Sequence, residues 1–310
     1  MNKRDHVLEV VSGRATGGGV PAAFFMHFPP ECHVGQAAID QHLRYFRSTG
    51  MDLLKIQYEL PLPTQPAMHR PGDWARAPRW TLDDFAPMLA VVDGLVKALH
   101  HEALVIVTLY SPFMWASHLA DSESLRAQLA EQPEAVVRGL EILTENVITF
   151  AHGCQRLGVD GFYVSTQGGE AFRFGGTEIF ETYIRPTDLA VWDAIGGSLF
   201  NILHVCDYHG PYADLTPFRR YPGRVVSTSL ALESRTLTAR EVEAQFGRPV
   251  MGGLERKGVL ATGPAEAIRA AVTEALADRP EGFILAADCT VPSDTPWDHL
   301  KLAVDLAHAA

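Results

Sequence analysis

Chemistry in this chain is concentrated where short apolar runs end. The run LFNILHVC from Leu199 ends in His204-Val205-Cys206-Asp207. In an extended strand, residues i and i+2 point to the same side, so His204 and Cys206 can reach one point. Cys289, 83 positions later, follows another apolar run, GFILAAD from Gly282. One imidazole and two thiolates form a borderline-to-soft donor set that suits Zn²⁺. Three protein ligands leave one position open, as in catalytic rather than structural zinc sites. The alternative for each cysteine is packing, because free cysteines behave as small apolar residues. Cys154 falls on a helical segment and reads as packing. Cys32, beside His33, reads as a loop residue.

Acids also fall at the ends of such runs: Glu59, Glu170, Glu255 and Asp288. Each could be a further ligand, a general base or a solvated residue. Glu59, Glu170, His27 and Tyr58 are the candidate catalytic residues, with His27 and Tyr58 able to line a substrate pocket, and His209 is a candidate support for the His-x-Cys pair. Other catalytic signatures are missing. There is no Gly-x-Ser-x-Gly elbow and no phosphate-binding Walker loop, and His100-His101-Glu102 lacks the spacing of a zinc-protease helix.

These positions need a scaffold that brings distant run ends together. Eight short apolar runs start at Pro21, Met51, Ala103, Val159, Leu199, Arg224, Pro249 and Gly282. Such runs read as strands buried on both faces, hence a parallel sheet covered by helices. Segments with helical periodicity lie between them: Gly35–Thr49, Leu82–His101, Glu134–Leu157, Asp188–Gly196, Thr238–Phe246, Pro264–Asp278 and Pro296–Ala309. Thr238 with Glu241 forms a capping-box pattern. Eight alternating units predict an α/β fold, a single-domain (β/α)8 TIM barrel over residues 1–310, with its site at the C-terminal strand ends. Residues 1–20 read as an N-terminal extension. The proline-rich stretch 61–80 reads as a long loop over the barrel mouth. An open doubly wound sheet is the competing architecture, but no Gly-x-Gly-x-x-Gly follows the first run.

Composition narrows the class further. The 310 residues are 47% hydrophobic and 20% charged, the balance of a globular protein. The net charge of −11 and the lack of a basic run argue against nucleic acid as a partner. No apolar stretch of about 18 residues predicts a membrane span. The N-terminal residues lack the pattern of a secretory signal. Four cysteines are too few for a disulfide framework, so reduced thiols in a cytoplasmic protein are expected. A small-molecule substrate is the expected partner, and the oligomeric state stays open.

Three stretches carry a family resemblance: ILHVCDYHG (Ile202–Gly210), FILAADCTVPSDTPWDHLKLAVDLAH (Phe283–His308) and GVDGFYVSTQGG (Gly158–Gly169). Together they make the chain resemble the uroporphyrinogen decarboxylase superfamily over nearly its whole length. That resemblance implies a (β/α)8 barrel. The metal-free decarboxylases of the superfamily carry an arginine-rich segment near strand one, whereas this chain has FFMHFPPECHVG there, Phe24–Gly35, with no arginine. The zinc-dependent corrinoid methyltransferases, such as the methylcobalamin:coenzyme M type, carry a His-x-Cys…Cys ligand pattern. His204, Cys206 and Cys289 match that pattern residue by residue. Cobalamin-independent methionine synthase uses related chemistry in a similar barrel. The resemblance thus implies Zn²⁺ as cofactor and a corrinoid (cobalamin) as methyl donor or acceptor. No Asp-x-His-x-x-Gly corrinoid-binding signature occurs, which implies a separate corrinoid protein or a diffusing donor. A metal-free lyase acting on tetrapyrrole carboxylates is the alternative activity.

Overall fold

The computed structural model describes residues 2–14, 17, 19–57 and 67–310. Among these, seven strands form one parallel sheet in chain order: β1 (Leu53–Ile56), β2 (Leu104–Tyr110), β3 (Gly161–Thr166), β4 (Ile202–Val205), β5 (Val225–Thr228), β6 (Val250–Leu254) and β7 (Ile284–Ala287). The helices are α1 (Lys3–Val10), α2 (Gly35–Thr49), α3 (Ala86–Leu99), α4 (Pro112–Leu119), α5 (Ser122–Glu131), α6 (Pro133–Arg156), α7 (Ala171–Phe174), α8 (Arg185–Ala194), α9 (Ala239–Phe246), α10 (Val259–Thr262), α11 (Ala265–Ala277) and α12 (Trp297–His308). Nearly every strand residue is buried, as a parallel sheet clad in helices requires. The architecture is α/β and TIM-barrel-like.

The run from Pro21 to Phe28, expected as the first of eight strands, does not form a ladder. It makes two isolated parallel bridges, Ala22 with Leu285 and Met26 with Val291. On one side Ala23 N–H donates to Leu285 O at 3.0 Å; on the other, Asp52 N–H donates to Ala22 O at 2.9 Å. The segment thus lies between β7 and the start of β1. Two features interrupt its pairing. Pro21 has no N–H to give. Beyond β7 the chain also bends at Asp288 and Cys289.

Asp52 fastens this junction. Its Oδ2 accepts the Ala22 N–H at 2.8 Å and contacts His308 Nε2 of α12 at 2.7 Å, while Lys3 Nζ of α1 lies 3.4 Å from Oδ1. The N-terminal extension is therefore partly helical. Asn2 caps α1 by accepting the Asp5 N–H, and Val7 is fully buried.

Several helices fall where periodicity expects them. Helix α2 has the expected bounds, and Thr238 and Glu241 form the reciprocal capping box of α9. Helices α4 and α5 were not expected. Ser111 and Asp121 cap them, each side chain accepting backbone N–H from the first turn.

The described part of the proline-rich stretch is tied to the helical layer. Met68 N–H donates to Leu119 O, and Trp74 Nε1 donates to Gln128 Oε1 at 2.7 Å. Residues 67–80 thus pack on α4–α6, and none of them lines the central cavity. Residues 61–66 lie outside the described residues. No helix among the described residues is long and apolar enough to cross a membrane.

Candidate metal centre

The polar residues of the buried strands repeat every second position. Lys55 and Gln57, Thr108 and Tyr110, and His204 and Cys206 each form an i, i+2 pair. Tyr163, Ser165 and Gln167 continue the same period. Residues of one parity share one face of a strand. All of these line a cavity of about 550 Å³ at the C-terminal strand ends.

At its floor, ligating atoms of His204, Cys206 and Cys289 all lie within 4.8 Å of one another. Cys206 follows β4 directly and Cys289 lies two residues past β7, three strands along the sheet. Strands spaced about 4.8 Å apart would separate such positions by about 14 Å on a flat sheet. The curl of the sheet is what brings the two sulfurs together.

The side chains of this group are held from behind. His204 pairs in register with Ser165 and Ser227, and its ring stacks on Tyr163, with centroids 4.7 Å apart and planes at 27°. The Tyr163 hydroxyl lies 3.2 Å from Ser227 Oγ, which fixes the tyrosine ring. Cys206 N–H donates to Thr166 O at 3.0 Å, its carbonyl accepts from the Tyr212 hydroxyl at 3.0 Å, and Gln167 Nε2 donates to its sulfur at 3.3 Å.

The donor set fits a thiophilic divalent ion. His204 is 1% exposed, and neither ring nitrogen has a hydrogen-bond partner among the described residues. A buried imidazole without partners is costly unless something else accepts its lone pair. The two thiols are shifted in opposite directions. Cys206 beside it, then His204 and Arg256, hold the Cys289 thiol well below its ordinary range, against the effect of burial. Cys289 and burial together push the Cys206 thiol well above it. Two thiolates with a neutral imidazole would balance the charge of one divalent ion.

The acids near the ligands belong to an ion-pair group. Arg256 Nη1 lies 2.8 Å from Asp207 Oδ1 and 3.2 Å from Asp288 Oδ1, and Arg256 N–H donates to Asp288 Oδ1 at 3.0 Å. Burial raises the Asp288 carboxyl above its ordinary value, and Arg256 opposes that rise.

Other expected residues are scattered. His27 is exposed and lines the cavity, with Gln57 Nε2 3.2 Å from its Nε2. His209 lines the rim of the cavity. Glu170 is fully buried and does not line the cavity. Its Oε2 accepts the Gly168 N–H at 2.7 Å and lies 3.7 Å from Arg173 Nη1. Burial raises its carboxyl, with Arg173 opposing. Glu170 thereby holds the Gly168-Gly169 turn. Gly168 has φ +99°, and a Cβ on Gly169 would meet Phe218 Cζ at 2.7 Å. Glu255 is exposed, Cys32 does not line the cavity, and Cys154 is buried in α6. Tyr58 and Glu59 lie outside the described residues.

Residues not singled out from sequence complete the wall. Lys55 is 5% exposed, with Nζ 4.5 Å from the Phe25 ring centre and 4.7 Å from that of Tyr163. His118, stacked on Tyr110, lines the cavity, and burial lowers its pKa. The two-residue polar period within apolar runs is the signal that marks the strand-borne part of this wall.

Comparison with known proteins bears on the scaffold. No curated protein matches the chain in sequence. A solved methyltransferase from Methanosarcina mazei superposes with a TM-score of 0.82 at 15% identity, covering 99% of this chain and 98% of that one. A B12-independent methionine synthase from Shewanella sp. W3-18-1 superposes with a TM-score of 0.52 at 12% identity, covering 94% and 97%. At these identities the likeness is one of fold. The family model described as uroporphyrinogen decarboxylase (URO-D) matches residues 43–310, which include all three candidate ligands. The chain belongs to the uroporphyrinogen decarboxylase (URO-D) family.

Proposed function

We propose that this protein is a zinc-dependent methyltransferase or demethylase. It would move a methyl group between a corrinoid and a thiol or other small acceptor bound in the central cavity. The observation that carries this reading is the convergence of His204, Cys206 and Cys289 at the cavity floor, with both nitrogens of a buried imidazole unpartnered. The fold shared with a methyltransferase agrees with it. The missing arginines at Phe24–Gly35 weigh against a metal-free decarboxylase. We read the scaffold as a (β/α)8 barrel in one domain, with Pro21–Phe28 as its irregular eighth stave, working in the cytoplasm.

His204, Cys206 and Cys289 would hold the ion. Zn²⁺ held there would supply acidity to a thiol substrate, whose free pKa of about 8.5 otherwise leaves it mostly protonated at neutral pH. The chain's own groups do the rest. Tyr163 fixes the plane of His204, and the Gln167 amide withdraws charge from Cys206. His27 and Gln57 face the substrate from the cavity wall, and Tyr58 and Glu59 follow them in the chain. The corrinoid would arrive on a partner protein or free in solution.

Purified protein should contain zinc and transfer methyl from methylcobalamin to a small thiol, seen as loss of the methylcobalamin spectrum. Cys206→Ser should abolish both. Zinc-free protein with undiminished turnover after chelation would overturn the reading. Release of CO₂ from uroporphyrinogen by that chelated protein would establish the lyase instead.

A further inference from the structure

The two sulfur ligands come from loops that no backbone hydrogen bond joins directly. The Cys206 loop hangs on β3 through Thr166 O, and the Cys289 loop hangs on β6 through Leu254 O. Each sulfur has an aspartate as chain neighbour, Asp207 after Cys206 and Asp288 before Cys289. Both carboxylates are largely buried, with side-chain exposures of 13% and 10%. Two buried carboxylates beside the two sulfurs repel one another and drive the loops apart.

One side chain lies between them. Arg256, from the loop after β6, places Nη1 2.8 Å from Asp207 and 3.2 Å from Asp288. Its backbone N–H also holds Asp288 at 3.0 Å. The contact to Asp207 is an ion pair rather than an aligned hydrogen bond, because Asp207 Oδ1 has no partner in hydrogen-bond geometry. A cation can thus offset both carboxylates without fixing either loop rigidly.

We infer that Arg256 is a positioning residue for the metal centre: its guanidinium links Asp207 to Asp288 and thereby keeps Cys206 and Cys289 at ligating distance. The inference rests on the metal-site reading proposed above. Arg256 also borders the cavity, so activity alone would not separate this role from contact with substrate.

Metal binding separates them. Co²⁺ is titrated into metal-free protein without substrate, and thiolate-to-cobalt absorption is recorded. The wild type should show that band. Arg256→Met should bind Co²⁺ about 10–100-fold more weakly, the usual cost of losing a group that supports metal ligands. Arg256→Lys keeps the charge and should lose less. Adding Asp207→Asn and Asp288→Asn to Arg256→Met removes the repulsion and should restore most of the affinity. Circular dichroism confirms that each variant is folded. Arg256→Met with wild-type affinity, or a triple variant as weak as Arg256→Met, overturns the inference and leaves the metal site standing. A wild type without the thiolate band removes both.

Discussion

The ring of Tyr163 lies flat against the ring of His204, 4.7 Å between centroids, and its hydroxyl reaches Ser227 on β5. A ligand imidazole must present one nitrogen to the ion in a fixed plane, and stacking supplies that plane without using either nitrogen. Tyr163→Phe keeps the stack and should bind metal as the wild type does, at a cost of about 1 kcal/mol in stability. Tyr163→Ala frees the imidazole and should weaken Co²⁺ binding about tenfold. Equal affinities for the phenylalanine and alanine variants would show that the stack does not orient the ligand.

Glu170 lies just beyond the end of β3, where a catalytic acid could sit, yet its carboxyl is buried away from the cavity. Glu170→Gln should lower stability by about 3 kcal/mol, because Arg173 is left buried without its anion. Metal affinity and turnover should change only a few-fold. Chemical denaturation and steady-state kinetics on the same preparation check this. Loss of turnover with unchanged stability would return Glu170 to the chemistry.

Asp188 supplies a pH signature. Burial raises its pKa to about 7, against hydrogen bonds from Thr166 and Tyr221. In the unfolded chain it titrates near ~3.9. The folded protein therefore keeps a proton that the unfolded chain releases, and stability falls as pH rises from about 4 to about 7. The total is about 4 kcal/mol at ~1.36 kcal/mol per unit. Asp188→Asn should remove this slope, so the wild type should lose ground to the variant as pH rises through that interval. Urea unfolding across the interval measures the difference, and parallel curves for the two proteins would refute the assignment.

Trp74 packs on Gly139 of α6, where a Cβ would meet Trp74 Cε3 at 2.5 Å. Gly139→Ala should cost about 1–3 kcal/mol through overpacking. Trp74→Ala should cost about 3–5 kcal/mol. In the Trp74→Ala background the alanine at 139 has room, so the two losses should fall well short of additive. Additive losses in thermal unfolding would mean that the contact is not what makes the glycine necessary.

The convergence of His204, Cys206 and Cys289 is legible in sequence because it obeys two short rules: i and i+2 share a strand face, and run ends converge in a barrel. The bounds of α2 and the cap of α9 followed from periodicity and from Thr238 with Glu241 in the same way. Lys55, Gln57, Thr108 and Ser165 obey the first rule as well, but a lone polar residue in an apolar run also reads as a tolerated exception. Arg256 carried no local signal, because its partners Asp207 and Asp288 are adjacent only after folding. Helices α4 and α5 depend on caps at Ser111 and Asp121 within a stretch whose periodicity is weak. Pro21–Phe28 has strand composition, but its partner segment turns away after Ala287 to carry Cys289, so it is left with isolated bridges.

Asp52 makes the remote base of the molecule a stakeholder in the pocket. It grips His308 near the end of the chain and the amide of Ala22 with one oxygen. Three residues beyond Ala22, Phe25 sets its edge on Tyr163, 5.4 Å between centroids, and Tyr163 in turn backs His204. Trimming the last helical turn, or burying a tag against it, would therefore loosen the imidazole from the far side of the protein, by way of Phe25 and Tyr163.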